Sequence, residues 1–163
     1  MKALSLIQPY ATLIMLGYKT NETRSWDTKH NGPLAIAASA SKPAWARKVC
    51  QENMHIRQIL SAYGLTFDTL PRGAVLGIVN VVGTLPIAGP DTYLKNEQPH
   101  MFCHPEQLKP VERACGDYSS PGAFPSRFAW ALRNVVVFPE PIPCKGALSL
   151  WQVPVEVEAK FPV

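Results

Sequence analysis

Two long segments rich in β-branched residues constrain the fold of this chain most. Residues 73–87 read GAVLGIVNVVGTLPI, and residues 127–138 read RFAWALRNVVVF. Valine and isoleucine favour extended backbone because their side chains pack well on a pleated surface. Glycines inside the first segment predict a bend or a β-bulge within it. The chain is therefore predicted to build a sheet around these two strands.

Shorter elements surround the two long strands. Four more strands are predicted at 2–7, 21–26, 33–39 and 148–154, and two helices at 9–16 and 42–62. The proline-rich stretch 88–125 is predicted as a long loop excursion. Five or six strands with two helices in the N-terminal half predict a small α+β fold, with a mixed sheet curled into a barrel. Since no linker interrupts the pattern, residues 1–163 are predicted to form a single domain.

The composition excludes several classes of protein. Of the 163 residues, 47% are hydrophobic and 17% are charged, which argues against intrinsic disorder. The net charge of +4 indicates a mild preference for anionic partners, without the dense basic tail of a histone-like protein. No apolar run reaches the ~18 residues of a membrane helix, and polar residues interrupt the apolar N-terminus before any cleavage-site pattern. We therefore expect a cytoplasmic protein with no membrane partner.

The cysteines show no C-x-x-C spacing, and reduced thiols are predicted for all four of them: Cys50, Cys103, Cys115 and Cys144. His100 and His104 lie near Cys103 and Cys115 in the sequence, and these four side chains could in principle bind zinc. Their spacing matches no common zinc module, and the segment is rich in proline. Neither a metal site nor a cofactor is predicted.

A mixed polar set follows the first helix. Lys19, Glu22 and Arg24 lie within six residues, and Trp26 comes directly afterwards on the same predicted strand. Because side chains alternate along a strand, Glu22, Arg24 and Trp26 are expected to share one face. Two cations beside one carboxylate favour its ionised form and leave positive charge for a phosphate. Residue types alone leave two interpretations open: a structural ion pair, or the floor of a binding site.

Further candidates for a binding site lie elsewhere. The indole of Trp26 could stack on a base or cap the barrel core. Ser39 and Lys42 lie where a strand ends and a helix begins; a serine there is first of all a helix N-cap, but backbone N–H groups there could also bind an anion. Arg127 and Lys145 could complete a basic rim or be ordinary solvated charges. The remaining tryptophans lie in apolar patterns and are predicted in the core: Trp45, Trp130 and Trp151.

The stretch QPYATLIMLGYKTNETRSW resembles the opening of the ASCH domain, the ASC-homology family with a PUA-like barrel. The G-x-K-x-x-E-x-R pattern of this family is filled here by Gly17, Lys19, Glu22 and Arg24. The resemblance continues through the G-x-L-x-I-x-A-S segment that begins at Gly32 and through RGAVLGIVNVVG. The stretch RFAWALRNVVVFPEPIPCKGALSLWQVP is similar to the closing half of the long bacterial and phage members. The resemblance covers most of the chain and is weakest at 88–125.

This resemblance implies a PUA-like barrel with a cleft suited to nucleic acid, floored by the loop and strand that hold the pattern. It favours a ligand-facing role for the polar set over a purely structural ion pair. The function that we expect is binding of RNA, or of a modified base or nucleotide. The expected ligand-binding residues are Lys19, Glu22, Arg24, Trp26, Ser39, Lys42, Arg127 and Lys145.

The resemblance also implies an enzymatic alternative. Relatives include amidohydrolases of acetylated cytidine and members reported to cleave RNA, so a second hypothesis is a small hydrolase of a modified nucleoside or of RNA. The amidohydrolases carry threonine where this chain has Glu22, so their mechanism does not transfer directly. Catalysis would instead use Glu22 with Lys19 as a general acid–base pair. A third option, a protein-interaction domain, requires an exposed apolar patch that the sequence pattern does not indicate.

Overall fold

The structure is a computed structural model and describes residues 1–89, 102–120 and 126–162. Its strands are β1 (Lys2–Leu6), β2 (Asn21–Arg24), β3 (Gly32–Ala38), β4 (Ala74–Pro86), β5 (Phe128–Pro143) and β6 (Leu150–Gln152). Its helices are α1 (Tyr10–Met15), α2 (Ala44–Glu52), α3 (Met54–Ala62), α4 (Pro110–Ala114) and α5 (Val155–Glu158), with a 3₁₀-helix at Pro105–Gln107. The two β-branched segments form the two longest strands, and the predicted α+β class is confirmed.

The six strands form one sheet in the order β2-β5-β4-β3-β1-β6. β1 and β3 pair in parallel, and the other neighbouring strands pair antiparallel, so the sheet is mixed as predicted. Three register shifts interrupt the pairing of β4 with β5. Irregularities of this kind bend a strand and increase its twist. The sheet curls into a half-barrel, which confirms the expected barrel-like architecture.

Helix α1 lies directly on the curled sheet. A side chain at Gly77 of β4 would collide with the carbonyl oxygen of Val136 on β5 and with the sulfur of Met15 on α1. Met15 belongs to the main core cluster, together with the fully buried Trp130. Burying a methionine side chain stabilises the fold by roughly 1.5–3 kcal/mol. Leu13, on the other side of α1, packs in a second cluster with residues of α2 and α3. α1 is therefore held between the sheet and the helical pair.

The helix predicted at 42–62 is in fact two helices. Asn53 has an extended backbone (φ −73°, ψ 112°), and its side-chain oxygen accepts a hydrogen bond from the backbone N–H of Ile56 at 3.2 Å. Asparagine competes with helical hydrogen bonding and is a favourable N-cap, so it ends α2 and begins α3. Of the helices in the described ranges, none is long and apolar enough to cross a membrane.

Part of the predicted loop excursion 88–125 has regular structure. The 3₁₀-helix and α4 both lie in its described portion, 102–120, and each begins with a proline, which is tolerated in the first turn of a helix. Ile87 and Cys103 form a parallel β-bridge that returns this segment to the end of β4. Residues 90–101 and 121–125 of the excursion lie outside the described residues.

Candidate functional site

A tight turn after α1 directs Lys19 into the protein interior. Gly17 has a positive φ of 80°, a conformation that glycine adopts without steric cost. The backbone N–H groups of Tyr18 and Lys19 then both donate to the carbonyl oxygen of Leu13, at 3.0 and 3.1 Å. This is a common way to end a helix, and it leaves the lysine side chain only 2% exposed.

Glu22 lies between two cations, as the sequence suggested. Its Oε2 atom is 3.1 Å from Lys19 Nζ, and its Oε1 atom is 2.9 Å from Arg24 Nε. Lys19 Nζ also donates to the carbonyl oxygen of Asn21 at 2.7 Å, and Arg24 Nη2 donates to that of Ser5 at 3.3 Å. The Glu22 side chain is 7% exposed and that of Arg24 is 26% exposed. The buried carboxylate is thus compensated by one buried and one partly exposed cation.

A cleft of about 720 Å³ opens beside this ion-paired set. Glu22 and Arg24 of β2 lie on one side of it, and the segments after β3 and after β5 form other parts of its wall. Its other lining residues are Ser5, Leu6, Ile7, Tyr10, Ser39, Ala40, Ser41, Gly73, Cys144, Lys145, Gly146, Ala147, Leu148 and Ser149. The cleft therefore combines apolar walls with a carboxylate, two cations and several hydroxyl groups, the composition typical of small-molecule sites.

A second, smaller cavity of about 250 Å³ also borders Glu22, and we call it the rear chamber. It is lined by Tyr10, Lys19, Glu22, Thr23, Trp45, Cys115, Gly116, Asp117 and Arg127. Tyr10 and Glu22 line both the cleft and the rear chamber. The two cavities are therefore neighbours, and these two side chains stand where they meet.

The predicted site residues fall into three groups. Lys19, Glu22 and Arg24 lie together, as described above. Ser39 and Lys145 line the cleft, and Arg127 lines the rear chamber. Within the described residues, Lys42 and Trp26 line neither the cleft nor the rear chamber. Lys42 is exposed. Trp26 packs edge-on against Trp130, with ring centroids 4.6 Å apart. This contact favours the interpretation of Trp26 as a cap on the core.

The sequence reasoning missed two aromatic residues at the site, Trp45 and Tyr10. Trp45 was predicted in the core, but it is half-exposed and lines the rear chamber. Its ring faces that of Tyr10, with centroids 6.5 Å apart and planes 28° apart. The prediction failed because Trp45 lies in the first turn of a short amphipathic helix, where the apolar face meets the rim of the chamber. Trp130 is fully buried as predicted, whereas Trp151 is half-buried and donates its N–H to Ser5 Oγ at 3.0 Å.

Glu112 of α4 was also missed, because nothing in its local sequence marks it. Its carboxylate is buried and accepts hydrogen bonds from the backbone N–H and hydroxyl of Thr20, at 2.7 and 2.9 Å. It also accepts from the backbone N–H of Asn21 at 3.1 Å and from the hydroxyl of Tyr118 at 2.8 Å. Burial and the neighbouring Glu112 charge raise the pKa of the Tyr118 hydroxyl, so that this group stays a donor. α4 is thereby attached to the start of β2.

A second contact attaches the same segment to β2 at Thr23. The backbone N–H of Asp117 donates to Thr23 Oγ1 at 3.0 Å, and Arg127 pairs with the Asp117 carboxylate at 3.2 Å. Burial acts to raise the pKa of Asp117, but hydrogen bonds from Ser119 and the charge of Arg127 outweigh it, so the pKa is lowered. The Asp117–Arg127 pair therefore stays charged at the edge of the rear chamber.

The residues weighed for zinc lie in different surroundings. Cys103 packs beside Ile87, whereas Cys115 packs in the cluster around α1 and α3. Burial raises the pKa of the Cys115 thiol to about 11, although Lys19 lowers it and Glu112 adds to the rise. His100 is outside the described residues. Among the residues that are described, no three His, Cys, Asp or Glu side chains come together as metal ligands would.

Comparison with known proteins identifies relatives of this architecture. The ASCH domain family matches residues 4–140. Activating signal cointegrator 1 from Homo sapiens is 37% identical over 83 residues, and its Mus musculus counterpart is 35% identical over 83 residues. These 83 residues are 50% of this chain but 14% of each relative, so the match concerns a small part of those proteins.

A solved structure shares the fold across nearly the whole chain. A mutant form of the ASCH protein from Zymomonas mobilis has a TM-score of 0.50 to this protein at 16% sequence identity. The alignment covers 98% of this chain and 94% of that one. At this identity the likeness concerns the fold alone, and it agrees with the PUA-like barrel that the sequence predicted. The G-x-K-x-x-E-x-R pattern lies inside the region matched by the family.

Proposed function

The chain belongs to the ASCH domain family, and from this premise we propose that it is a nucleic-acid-binding module whose cleft takes RNA, or a modified base or nucleotide. The observation that carries the proposal is the position of Glu22. Its carboxylate is buried between Lys19 and Arg24 and lines a cleft of about 720 Å³. This volume is within the roughly 300–1,000 Å³ of ligand pockets.

The chemistry of the cleft suits a nucleotide. An ionised carboxylate only accepts hydrogen bonds, and Glu22 can accept them from the amino or imino groups on the edge of a base, as carboxylates do with cytosine. Arg24 and Lys145 supply positive charge within the same cleft, and an arginine can bind a phosphate through two parallel hydrogen bonds. Ser39 and Ser41 add hydroxyl groups that donate or accept. One ligand with a polar ring and a phosphate matches this set.

A purely structural role explains the arrangement less well. Burying a charged pair costs several kcal/mol in desolvation, and apolar replacements are often equally stable or more so. Glu22 nevertheless lines two cavities, and each of its cationic partners lines one of them. Retaining a buried charge at the wall of a cleft is therefore better explained by contact with a ligand.

Binding to single-stranded RNA at several salt concentrations tests this proposal. Arg24→Ala and Lys145→Ala are each expected to weaken binding, and each should reduce the slope of log K against log salt by about one charge if that side chain contacts a phosphate. Arg113→Ala removes a cation outside the cleft lining and serves as the control. Equal affinities and equal salt slopes for the two cleft variants and the control would refute phosphate binding in the cleft.

Glu22→Gln separates binding from the hydrolytic alternative. Glutamine keeps part of the hydrogen-bonding geometry but cannot exchange a proton as a general base does. Wild-type turnover of acetylated cytidine or RNA that falls roughly a hundredfold in this variant, with binding and thermal stability retained, would establish Glu22 as catalytic. Binding without turnover in the wild-type protein supports the binding module. Turnover that is unchanged in Glu22→Gln would remove Glu22 from any chemistry.

A further inference from the structure

The rear chamber has an aromatic wall that the proposed function does not use. Trp45 is 50% exposed although it lies beside a cavity and faces the ring of Tyr10. An indole that is half in water leaves much of its apolar surface unburied, which weakens the protein relative to full burial. A tryptophan held in this way at the edge of a cavity is well placed to stack on a planar ring.

The polar side of the rear chamber complements that wall. Lys19 and Glu22 contribute one ion pair and Asp117 and Arg127 another, while Thr23 contributes a hydroxyl group. The volume of about 250 Å³ is smaller than the usual ligand pocket, so the chamber suits one ring system rather than a whole nucleotide. A base has both features that such a chamber recognises, since it presents a stacking face and an edge of donors and acceptors.

The position of the rear chamber indicates how a base would reach it. Tyr10 and Glu22 line both the chamber and the cleft, so a ligand in one space lies next to a ligand in the other. Two adjacent nucleotides of one strand satisfy this arrangement, with the backbone running past the shared wall. Two unconnected ligands would each lose their own entropy of association, whereas linked ones share that loss.

We propose that the rear chamber binds the base adjacent to the one in the cleft, stacked on Trp45, so that the protein reads two consecutive nucleotides of a single strand. This inference rests on the proposed function, because it assumes that the cleft takes a nucleotide. Trp45 is then a binding residue of the second nucleotide, and Glu22 lies between the two bases. The chemical class of the ligand is single-stranded nucleic acid of at least two nucleotides.

The test compares ligands that differ by one base. Affinities are measured for the four ribonucleoside monophosphates, for the ribodinucleotides, and for dinucleotides in which either base is replaced by an abasic ribose. In the wild-type protein the second base should increase affinity roughly tenfold, the usual effect of stacking one base on an aromatic side chain. Trp45→Ala should abolish this gain, which is measured as the ratio of dinucleotide to mononucleotide affinity. Trp45→Phe keeps an aromatic face and should retain part of the gain.

Tyr63→Ala provides the matched control. Tyr63 is also 50% exposed and directly follows α3, but it packs against Tyr18 and does not line either space. It should keep the full gain from the second base. Thermal unfolding of all variants checks that α2 stays folded, and Trp45→Phe carries the test if Trp45→Ala does not fold.

The outcomes separate the two proposals. If wild-type protein binds mononucleotides and gains nothing from a second base, or if Trp45→Ala keeps the gain, the rear chamber is not a nucleotide site and the proposed function stands. If the wild-type protein binds no mononucleotide, dinucleotide or longer RNA, the proposed function fails and the inference fails with it. A gain that is lost in Trp45→Ala and kept in Tyr63→Ala supports the inference.

Discussion

Two buried carboxylates lie near the start of β2, and the groups that they contact differ in kind. Counted over the whole residue, Glu22 on β2 and Glu112 on α4 are 5% and 6% exposed, so burial alone does not distinguish them. Glu22 is paired with two cations. Glu112 instead accepts four hydrogen bonds from the neutral groups of Thr20, Asn21 and Tyr118.

The difference indicates which carboxylate joins two segments of the chain and which one borders open space. A carboxylate has about four acceptor positions, and the neutral donors around Glu112 fill that number while joining two segments of the chain. Glu22 has one ion contact on each oxygen and lines two cavities. Glu112 thus fixes the backbone at the start of β2 through its hydrogen bonds. Glu22 lies on this fixed strand, and its carboxylate borders the two cavities.

The largest expected effect on stability comes from removing Glu22 from between its two cations. Glu22→Ala leaves the buried ammonium group of Lys19 without its carboxylate, which should lower the free energy of unfolding by about 3–5 kcal/mol. Adding Lys19→Met should recover a large part of this loss, because removing both charges also removes their desolvation cost. Urea denaturation of the single and double variants measures both effects.

The control for this site is Glu52→Ala. Glu52 forms an exposed pair with Lys48 at 3.8 Å, and an exposed pair of this spacing contributes about 0.3–0.5 kcal/mol. If Glu22→Ala costs no more than Glu52→Ala, then Lys19 does not depend on Glu22. The contrast between the two buried carboxylates would then be lost.

A loss of stability of comparable size is expected when Glu112 is removed. Glu112→Ala leaves the N–H groups of Thr20 and Asn21 without their acceptor, and each such group costs about 1–3 kcal/mol, so a loss of roughly 2–6 kcal/mol is expected. No substitution of a second side chain can rescue this variant, because two of the donors belong to the backbone. Chemical denaturation of Glu112→Ala and of Glu106→Ala, an exposed acid in the same segment, tests this; similar stabilities would contradict the structural role of Glu112.

Removing one of the groups that donate hydrogen bonds to Glu112 should lower stability only modestly. Tyr118→Phe deletes the hydroxyl that donates to Glu112 Oε1 at 2.8 Å and should lower the free energy of unfolding by about 1 kcal/mol. Tyr63→Phe, at a half-exposed position, should change it by less than about 0.5 kcal/mol. Thermal melts of the two variants compare them directly, and an equal shift in both would show that the Tyr118 bond contributes nothing of its own.

The smallest expected effect is on the pKa of the Cys115 thiol, which both Lys19 and Glu112 influence. Burial raises the pKa of Cys115 to about 11, Lys19 lowers it and Glu112 raises it further. Lys19→Met removes a positive charge that favours the thiolate, so the pKa should rise. Glu112→Gln removes a negative charge that disfavours it, so the pKa should fall. An NMR titration of the Cys115 side chain, with the cysteines isotopically labelled, measures the two shifts; shifts in the same direction would contradict the arrangement.

Much of the fold was accessible from the sequence because it depends on local patterns. The β-branched runs at 73–87 and 127–138 form the two longest strands. The closeness of Lys19, Glu22 and Arg24 was also accessible, since the three lie within six residues and strand alternation puts Glu22 and Arg24 on one face. These features need few contacts distant in sequence.

The tertiary structure decided what the local patterns could not. Glu112 lies about ninety residues after Thr20 and Asn21, so no spacing in the sequence connects the acid to its donors. Trp45 has the apolar neighbours of a core residue, and its exposure follows from where α2 packs relative to Tyr10. Whether the Glu22 ion pair faces solid core or open space is likewise settled by the walls around it, which come from β1, α1 and the segments after β3 and β5. The sequence by itself determined which charges would meet, because they lie within six residues of one another. Folding determined what they face, because burial and cavities arise from packing between distant segments.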